Sequence, residues 1–280
     1  MRKPALVLVA TPIGNLDDIS LRASRELKNA DAICCEDSRR TGKLLAHLQC
    51  VPRPPLIIVN EHSERQQCDR VIRHIRNGER LVMVTDAGMP AISDPGEYLV
   101  KKVIEAGLQV EVIPGPSAAV TALVGSGISP RRYIFEGFLP RKGKARAARL
   151  KDISDNPRTT VIYESSRRVV KTLEDLIQYL GKSRQATVAR ELTKIHEEFH
   201  RGTLSQLVES FSLQEPKGEL VIVIEGIATP KLISTGEIIS ALNEATMQGL
   251  STRDAVREVA KITGTSKSRV YEIHLSNNRK

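Results

Sequence analysis

Three loops rich in Gly, Pro, Ser and Asp each follow a short apolar run of β type. Ala5 to Ala10 leads into Thr11-Pro12-Ile13-Gly14-Asn15-Leu16. Leu81 to Thr85 leads into Asp86-Ala87-Gly88-Met89 and on to Asp94-Pro95-Gly96. Val110 to Ile113 leads into Pro114-Gly115-Pro116-Ser117-Ala118. A strand that stops on such a loop leaves backbone N–H groups, and here the Asp86 carboxylate, at its C-terminal end. Open α/β sheets bind ligands at that end. Three such ends in one sheet would form one composite cleft, suited to a nucleoside cofactor. The chain has no G-x-G-x-x-G fingerprint and no G-x-x-x-x-G-K-[ST] loop. This argues against a dinucleotide oxidoreductase and a nucleotide hydrolase.

The elements that position these loops alternate. Between the strand-like runs, including Ala32–Cys35 and Leu56–Asn60, helical patterns fall near 21–29, 40–48, 63–77 and 98–106, with another at 118–125. Short apolar strands separated by helices indicate a largely parallel sheet covered on both faces. The breakers Gly125-Ser126-Gly127-Ile128-Ser129-Pro130 mark a boundary. Beyond them lie strand-like runs at 133–138, 159–163, 186–189 and 220–225. Their closer spacing toward the end points to a mixed or antiparallel sheet. Past Thr229-Pro230 only helical patterns remain, at 237–248, 252–263 and 266–275. The last two have helix–turn–helix spacing, which suits either an RNA-docking element or a packing cap. The expected architecture is α/β, with two α/β domains (1–127 and 128–229), a cleft between them and a small helical C-terminal segment (230–280).

Composition narrows the class of protein. The chain has 280 residues, 40% hydrophobic and 27% charged, as in soluble globular domains. No apolar run approaches the ~20 residues of a membrane helix. Arg2 and Lys3 precede an apolar stretch that reads as a first strand rather than a leader, so a cytoplasmic protein with no membrane contact is expected. Cys34, Cys35, Cys50 and Cys68 have no C-x-x-C spacing, which implies reduced thiols and no metal site. A formal charge of +9 favours a polyanionic partner. Seven basic residues lie between Arg131 and Arg149 against Glu136 alone, interleaved with Tyr133, Phe135 and Phe138. That mixture suits phosphate contact with base stacking, or a solvated linker beside core aromatics.

Loops of this kind fit a ligand with an adenosine and an amino-acid tail but no diphosphate, as in S-adenosylmethionine. Val9 to Leu16, Glu36-Asp37-Ser38-Arg39, Asp86 to Gly96, Pro114 to Ala118 and Ala189-Arg190-Glu191-Leu192-Thr193-Lys194 occur in that order. Together they resemble the ribosomal RNA small subunit methyltransferase I branch of the tetrapyrrole methylases, over roughly residues 6–225. Met89 stands where that family more often has Thr, and Ser38 replaces its usual Thr.

The resemblance implies S-adenosylmethionine-dependent 2'-O-ribose methylation of a cytidine in the decoding region of bacterial 16S rRNA, by a homodimer acting on the small ribosomal subunit. It places the cofactor against Pro12, Asp86, Ala87, Gly88, Met89, Ser117 and Ala118, closed over by Tyr163, Leu192 and Gly218. A ribose hydroxyl is a poor nucleophile, so a nearby base could take its proton. Asp37, Glu36, His62 and Glu164 are candidates, and the catalytic set is taken as Asp37, Glu36 and Arg39. Arg141, Lys142, Lys144, Arg146 and Arg167 are the expected RNA contacts. Two other functions remain open, methylation of a tetrapyrrole and non-catalytic RNA binding in ribosome assembly.

Overall fold

Alternate residues of the first strands face opposite sides of one sheet, and each side is apolar. The computed structural model describes residues 3–213, 216–227, 234–263 and 265–277. In chain order come β1 (Ala5–Val9), α1 (Leu21–Lys28), β2 (Ala32–Cys35), α2 (Ser38–His47) and β3 (Leu56–Ile58). Then follow α3 (Glu64–Arg76), β4 (Arg80–Met83), α4 (Glu97–Glu105) and β5 (Val110–Ile113). The five strands are parallel, in the order β3-β2-β4-β1-β5. Ala5, Val7, Val9, Ile33 and Val82 pack with Leu27 of α1 and Leu44 and Leu45 of α2. Leu6, Leu8, Leu81 and Met83 pack with Val71 and Ile75 of α3 and with Leu99 and Val103 of α4. Burial on both faces explains the continuous apolar strands.

The second sheet is mixed. Its elements are α5 (Ala118–Gly125), β6 (Tyr133–Phe138), α6 (Gly143–Asp155), β7 (Thr159–Ser165) and α7 (Val169–Leu180). β8 (Gln185–Arg190), β9 (Glu198–Thr203), α8 (Leu204–Leu213) and β10 (Glu219–Ile224) complete it. The order is β6-β7-β10-β8-β9, with β6 parallel to β7 and the other pairs antiparallel. Sequence patterning misses β9, because this edge strand carries Phe199 among Glu198, His200 and Arg201. Its register against β8 holds it in place. One face of the sheet packs under α6, α7 and α8 through Ile162, Val188 and Ile222. The other takes α5, where Ala119, Ala122 and Leu123 meet Val161, Val221 and Val223, joined by Ile13 from the loop after β1. α5 lies before the sequence boundary but packs on the second sheet, and residues 1–226 form one unit.

A second unit begins at Ile227. Its helices are α9 (Thr235–Met247), α10 (Thr252–Thr263) and α11 (Lys267–Asn277). They enclose Ile238, Leu242, Val256, Val259 and Val270, and a capping box of Ser234 and Glu237 opens α9. The expected break at Thr229-Pro230 lies outside the described residues. Among the described residues, no helix is long and apolar enough to cross a membrane.

A buried ion cluster locks the end of the first sheet opposite the loops. Arg80 is 7% exposed. Its Nε donates to Glu26 at 2.9 Å, and its Nη2 donates to Glu111 at 2.7 Å. Arg80→Ala removes the guanidinium that Glu26 and Glu111 share at this buried end of the sheet. Denaturant unfolding should then show a loss of about 3–5 kcal/mol. A loss under about 1 kcal/mol would mean that water replaces the guanidinium at little cost.

Candidate functional site

Backbone pairing brings the loops together. Thr11 N–H donates to the Gly88 carbonyl at 2.9 Å, and Gly88 N–H donates back to Thr11 at 3.0 Å. The Thr11 hydroxyl also donates to the Thr85 carbonyl at 3.3 Å. Gly88 has φ 82°, a conformation that favours glycine. The loop after β5 comes just as close, since a Cβ on Gly115 would lie 2.9 Å from that of Ala10. All three loops therefore meet at the C-terminal edge of the first sheet, as expected of a binding crevice.

They border a cavity of about 360 Å³, within the range of small-molecule sites. Asp86, Ala87, Gly88, Met89, Ser117 and Ala118 line it from the first sheet and α5, and Tyr163 and Gly218 from the second sheet. Two expected cofactor residues lie elsewhere. Pro12 borders a smaller adjoining pocket with Thr11, Arg40 and Lys43. Leu192 is buried in the apolar layer between the sheets, because the chain turns inward there to close that layer.

The wall is acidic and part of it is unsatisfied. Asp86 receives Arg40 Nε at 3.3 Å on Oδ2, while its buried Oδ1 has no hydrogen-bond partner. Burial raises the Asp86 pKa, and burial with the Asp86 charge raises that of Glu36. Asp94, on the same wall, is pushed up to about 7 by burial and by the carboxylates of Glu36, Asp86 and Glu219. In sequence Asp94 is one polar residue of a loop, and only the fold brings these four carboxylates together. Ala91 (φ 69°) and Ser93 (φ 63°) hold the Asp94 loop in left-handed conformations, a strain typical of functional sites.

The facing wall is aromatic. Tyr163 makes edge contacts with Phe135 at 4.8 Å and Phe138 at 5.6 Å, and its hydroxyl accepts from Ala119 N–H at 3.3 Å. Phe138 lines the cavity while staying half-exposed, and Phe135 packs into the apolar layer beneath α5. Ser117 precedes α5, but its side chain makes no capping bond, and it lines the cavity.

The expected catalytic trio divides. Asp37 is the N-cap of α2, accepting from Arg39 N–H at 2.8 Å and Arg39 Nη2 at 2.6 Å. The Arg39 guanidinium holds the Asp37 carboxyl well below the usual carboxylate range, which makes it a weak proton acceptor. Neither residue borders the cavity, because both serve the start of the helix. Glu36 does border it. Glu164 lines it too, but its oxygens are taken up by Ser165 N–H at 2.8 Å and the Thr172 hydroxyl at 2.6 Å. His62 stays outside, on the turn capped by Asn60.

Of the expected RNA contacts, Arg141, Lys142, Lys144 and Arg167 are exposed. Arg146 is a correction. It is 7% exposed and donates to Asp175 at 2.8 Å, Thr172 at 2.9 Å and the Pro140 carbonyl at 3.0 Å. Helical periodicity turns Arg146 inward while its neighbours face solvent, so it fastens α6 to α7.

Residues 5–208 match the model of the tetrapyrrole (corrin/porphyrin) methylases. The protein named ribosomal RNA small subunit methyltransferase I from Synechocystis sp. is 40% identical over 96% of this chain and 97% of its own. Its namesake from Xylella fastidiosa is 43% identical over 95% and 97%. A solved structure of uroporphyrin-III C-methyl transferase from Thermus thermophilus, complexed with S-adenyl homocysteine, superposes with TM-score 0.55 at 18% identity, covering 78% of this chain and 96% of that one. The chain belongs to the tetrapyrrole methylase family, in the branch whose members are named ribosomal RNA small subunit methyltransferase I.

Two measurements check this geometry. Arg146→Ala should lower unfolding stability by about 1–3 kcal/mol, through the three lost hydrogen bonds, while Lys171 still pairs with Asp175. A stable variant that bound RNA more weakly would return Arg146 to the surface set. Asp94 has a folded pKa above its unfolded value, so its ionisation costs stability as pH rises from about 4 to about 7. Asp94→Asn should therefore raise the melting temperature more at pH 8 than at pH 5. An equal shift at both would remove the charge crowding.

Proposed function

We propose that the chain methylates the 2'-hydroxyl of a cytidine ribose in the decoding region of 16S rRNA, using S-adenosylmethionine and acting in the cytoplasm as a homodimer. The observation that carries the reading is the buried, unpartnered Asp86 Oδ1 in an acidic cavity faced by Tyr163 and Phe138. These residues fit the cofactor. A cluster of carboxylates suits a ligand bearing sulfonium and ammonium charges, and the ring faces suit an adenine. Ala87, Gly88, Ser117 and Ala118 keep the rim small enough for backbone contact. When bound, the cofactor supplies an electrophilic methyl group on sulfur.

The protein's own part is positional and electrostatic. Asp86 and Asp94 hold the cationic ligand, and Tyr163 and Phe138 bound its flat face. Glu36 accepts the proton of an incoming hydroxyl, a role supported by its position on this cavity and on the polar pocket next to it. Arg141, Lys142, Lys144 and Arg167 offer cations to phosphates. The relatives named ribosomal RNA small subunit methyltransferase I support RNA as substrate, and their shared name favours RNA over a tetrapyrrole. A non-catalytic RNA binder needs no such cavity.

Transfer of a labelled methyl group tests the reading. Small-subunit rRNA or the assembled subunit should take up label as a 2'-O-methylcytidine, and a precorrin should not. Asp86→Ala should weaken cofactor binding in calorimetry by about tenfold or more, the worth of a charged hydrogen bond. Label on the tetrapyrrole alone, or none on RNA, would overturn the proposal.

A further inference from the structure

The cofactor cavity opens sideways, past the loop after β1, toward a groove that the proposed reaction has not used. Arg40 and Asp86 line both the cofactor cavity and the small pocket bordered by Lys43 and Leu16. Leu16 in turn lines an open groove of about 790 Å³. His47 of α2 stands on one side of that groove, and Lys194, Ile195 and His196 stand on the other. These last three lie in the loop joining β8 to β9.

Two features of the groove point to a nucleic-acid strand. The first is charge. α2 carries no acidic residue, and Arg39, Lys43 and His47 recur at intervals of four, which places them on one helical face. All three are exposed; His47 lines the groove and Lys43 the small pocket beside it, while Arg39 lies just beyond both, paired with Asp37 at 2.6 Å, a partner that a phosphate would replace. The carboxylates nearby are largely engaged: Glu197 accepts from Thr193 N–H at 2.6 Å, and Glu191 and Glu219 hold Lys194 at 2.9 and 3.1 Å. Asp17 at the groove wall and Asp18 beside it remain exceptions, and Asp37 holds Arg39.

The second is shape. Ile195 is 97% exposed, yet the loop beneath it is firmly held. Thr193 has φ 64°, and its hydroxyl accepts from Asn15 N–H at 3.0 Å. Lys194 N–H and Glu197 N–H donate to the Glu191 and Lys194 carbonyls at 3.0 and 3.1 Å. A Cβ on Gly14 would lie 2.6 Å from both the Thr193 hydroxyl and the Lys194 chain. A rigid loop that presents an isoleucine to solvent resembles the apolar wedges with which proteins engage base steps.

We propose that the groove between α2 and the β8–β9 loop is a track for the RNA strand, with Arg39 and Lys43 on its phosphates and Ile195 against a base. This rests on the proposed RNA methylation and adds a route by which the strand approaches the cofactor. The Lys194–Glu219 contact connects the track to the cavity wall, since Glu219 lines both that ion pair and the cavity.

The test uses the full chain and a fluorescent RNA carrying the proposed target cytidine, titrated across a range of salt concentrations. Arg39→Gln with Lys43→Gln should flatten the plot of log affinity against log salt by about 1.4, at about 0.7 per single-strand phosphate contact. Ile195→Ala should weaken RNA binding about tenfold, and Ile195→Trp should keep or tighten it, because a larger flat surface still stacks. S-adenosylmethionine affinity, measured by calorimetry, should not change in any of them. Ile195 is fully solvated, so its two variants remain informative even if the α2 double variant folds poorly. If wild type binds and methylates the RNA while these variants keep its affinity and salt slope, the track is wrong and the methylation stands. If wild type neither binds nor methylates RNA, both fall.

Discussion

The two backbone hydrogen bonds between Thr11 and Gly88 are the constraint on which the site depends. Strands β1 and β4 are neighbours in the sheet, but their loops would diverge without a cross-link beyond the last paired residues. With the link made, Ile13 is directed into the layer beneath α5, and Asp86 is turned toward the cavity. The second sheet then closes the site through the same layer. The cavity and the sheet-to-sheet packing are therefore set by one local arrangement, and side-chain changes in the loop 11–16 should be felt at both.

Holding Glu36, Asp86 and Asp94 around one cavity opposes folding, because burial and mutual repulsion both disfavour their charged forms. A cationic ligand reverses the balance by satisfying the carboxylates it meets. The first sheet can tolerate this crowding because its opposite end is fastened by Arg80 between Glu26 and Glu111. Stability and function thus sit at opposite ends of the same strands.

Much of this was legible in the sequence. Apolar runs ending on Gly, Pro and Asp located the three loops, because a parallel strand buried on both faces must be apolar and must stop where the chain leaves the sheet. Eight of the ten expected cofactor residues line the cavity. Pattern failed where tertiary context decides. β9 has one apolar residue and is held by its partner strand. Arg146 looks like its exposed neighbours in sequence but lies on the buried side of α6. Asp37 beside Arg39 suggested catalysis, yet an Asp just before a helix is also a good N-cap, and capping is the use the fold makes of it. The charge cluster around Asp94 joins residues from the chain just after β2 and β4 and from the start of β10, a combination visible only once the chain is folded.

Hydrogen–deuterium exchange with and without S-adenosylmethionine tests the central claim, that one ligand is gripped at once by loops from both sheets. The account predicts slower exchange in the loops 11–16, 86–96 and 114–118 and at 217–219, all within the same titration. Protection confined to one sheet, or absent from the loop that carries Asp86 and Asp94, would contradict it.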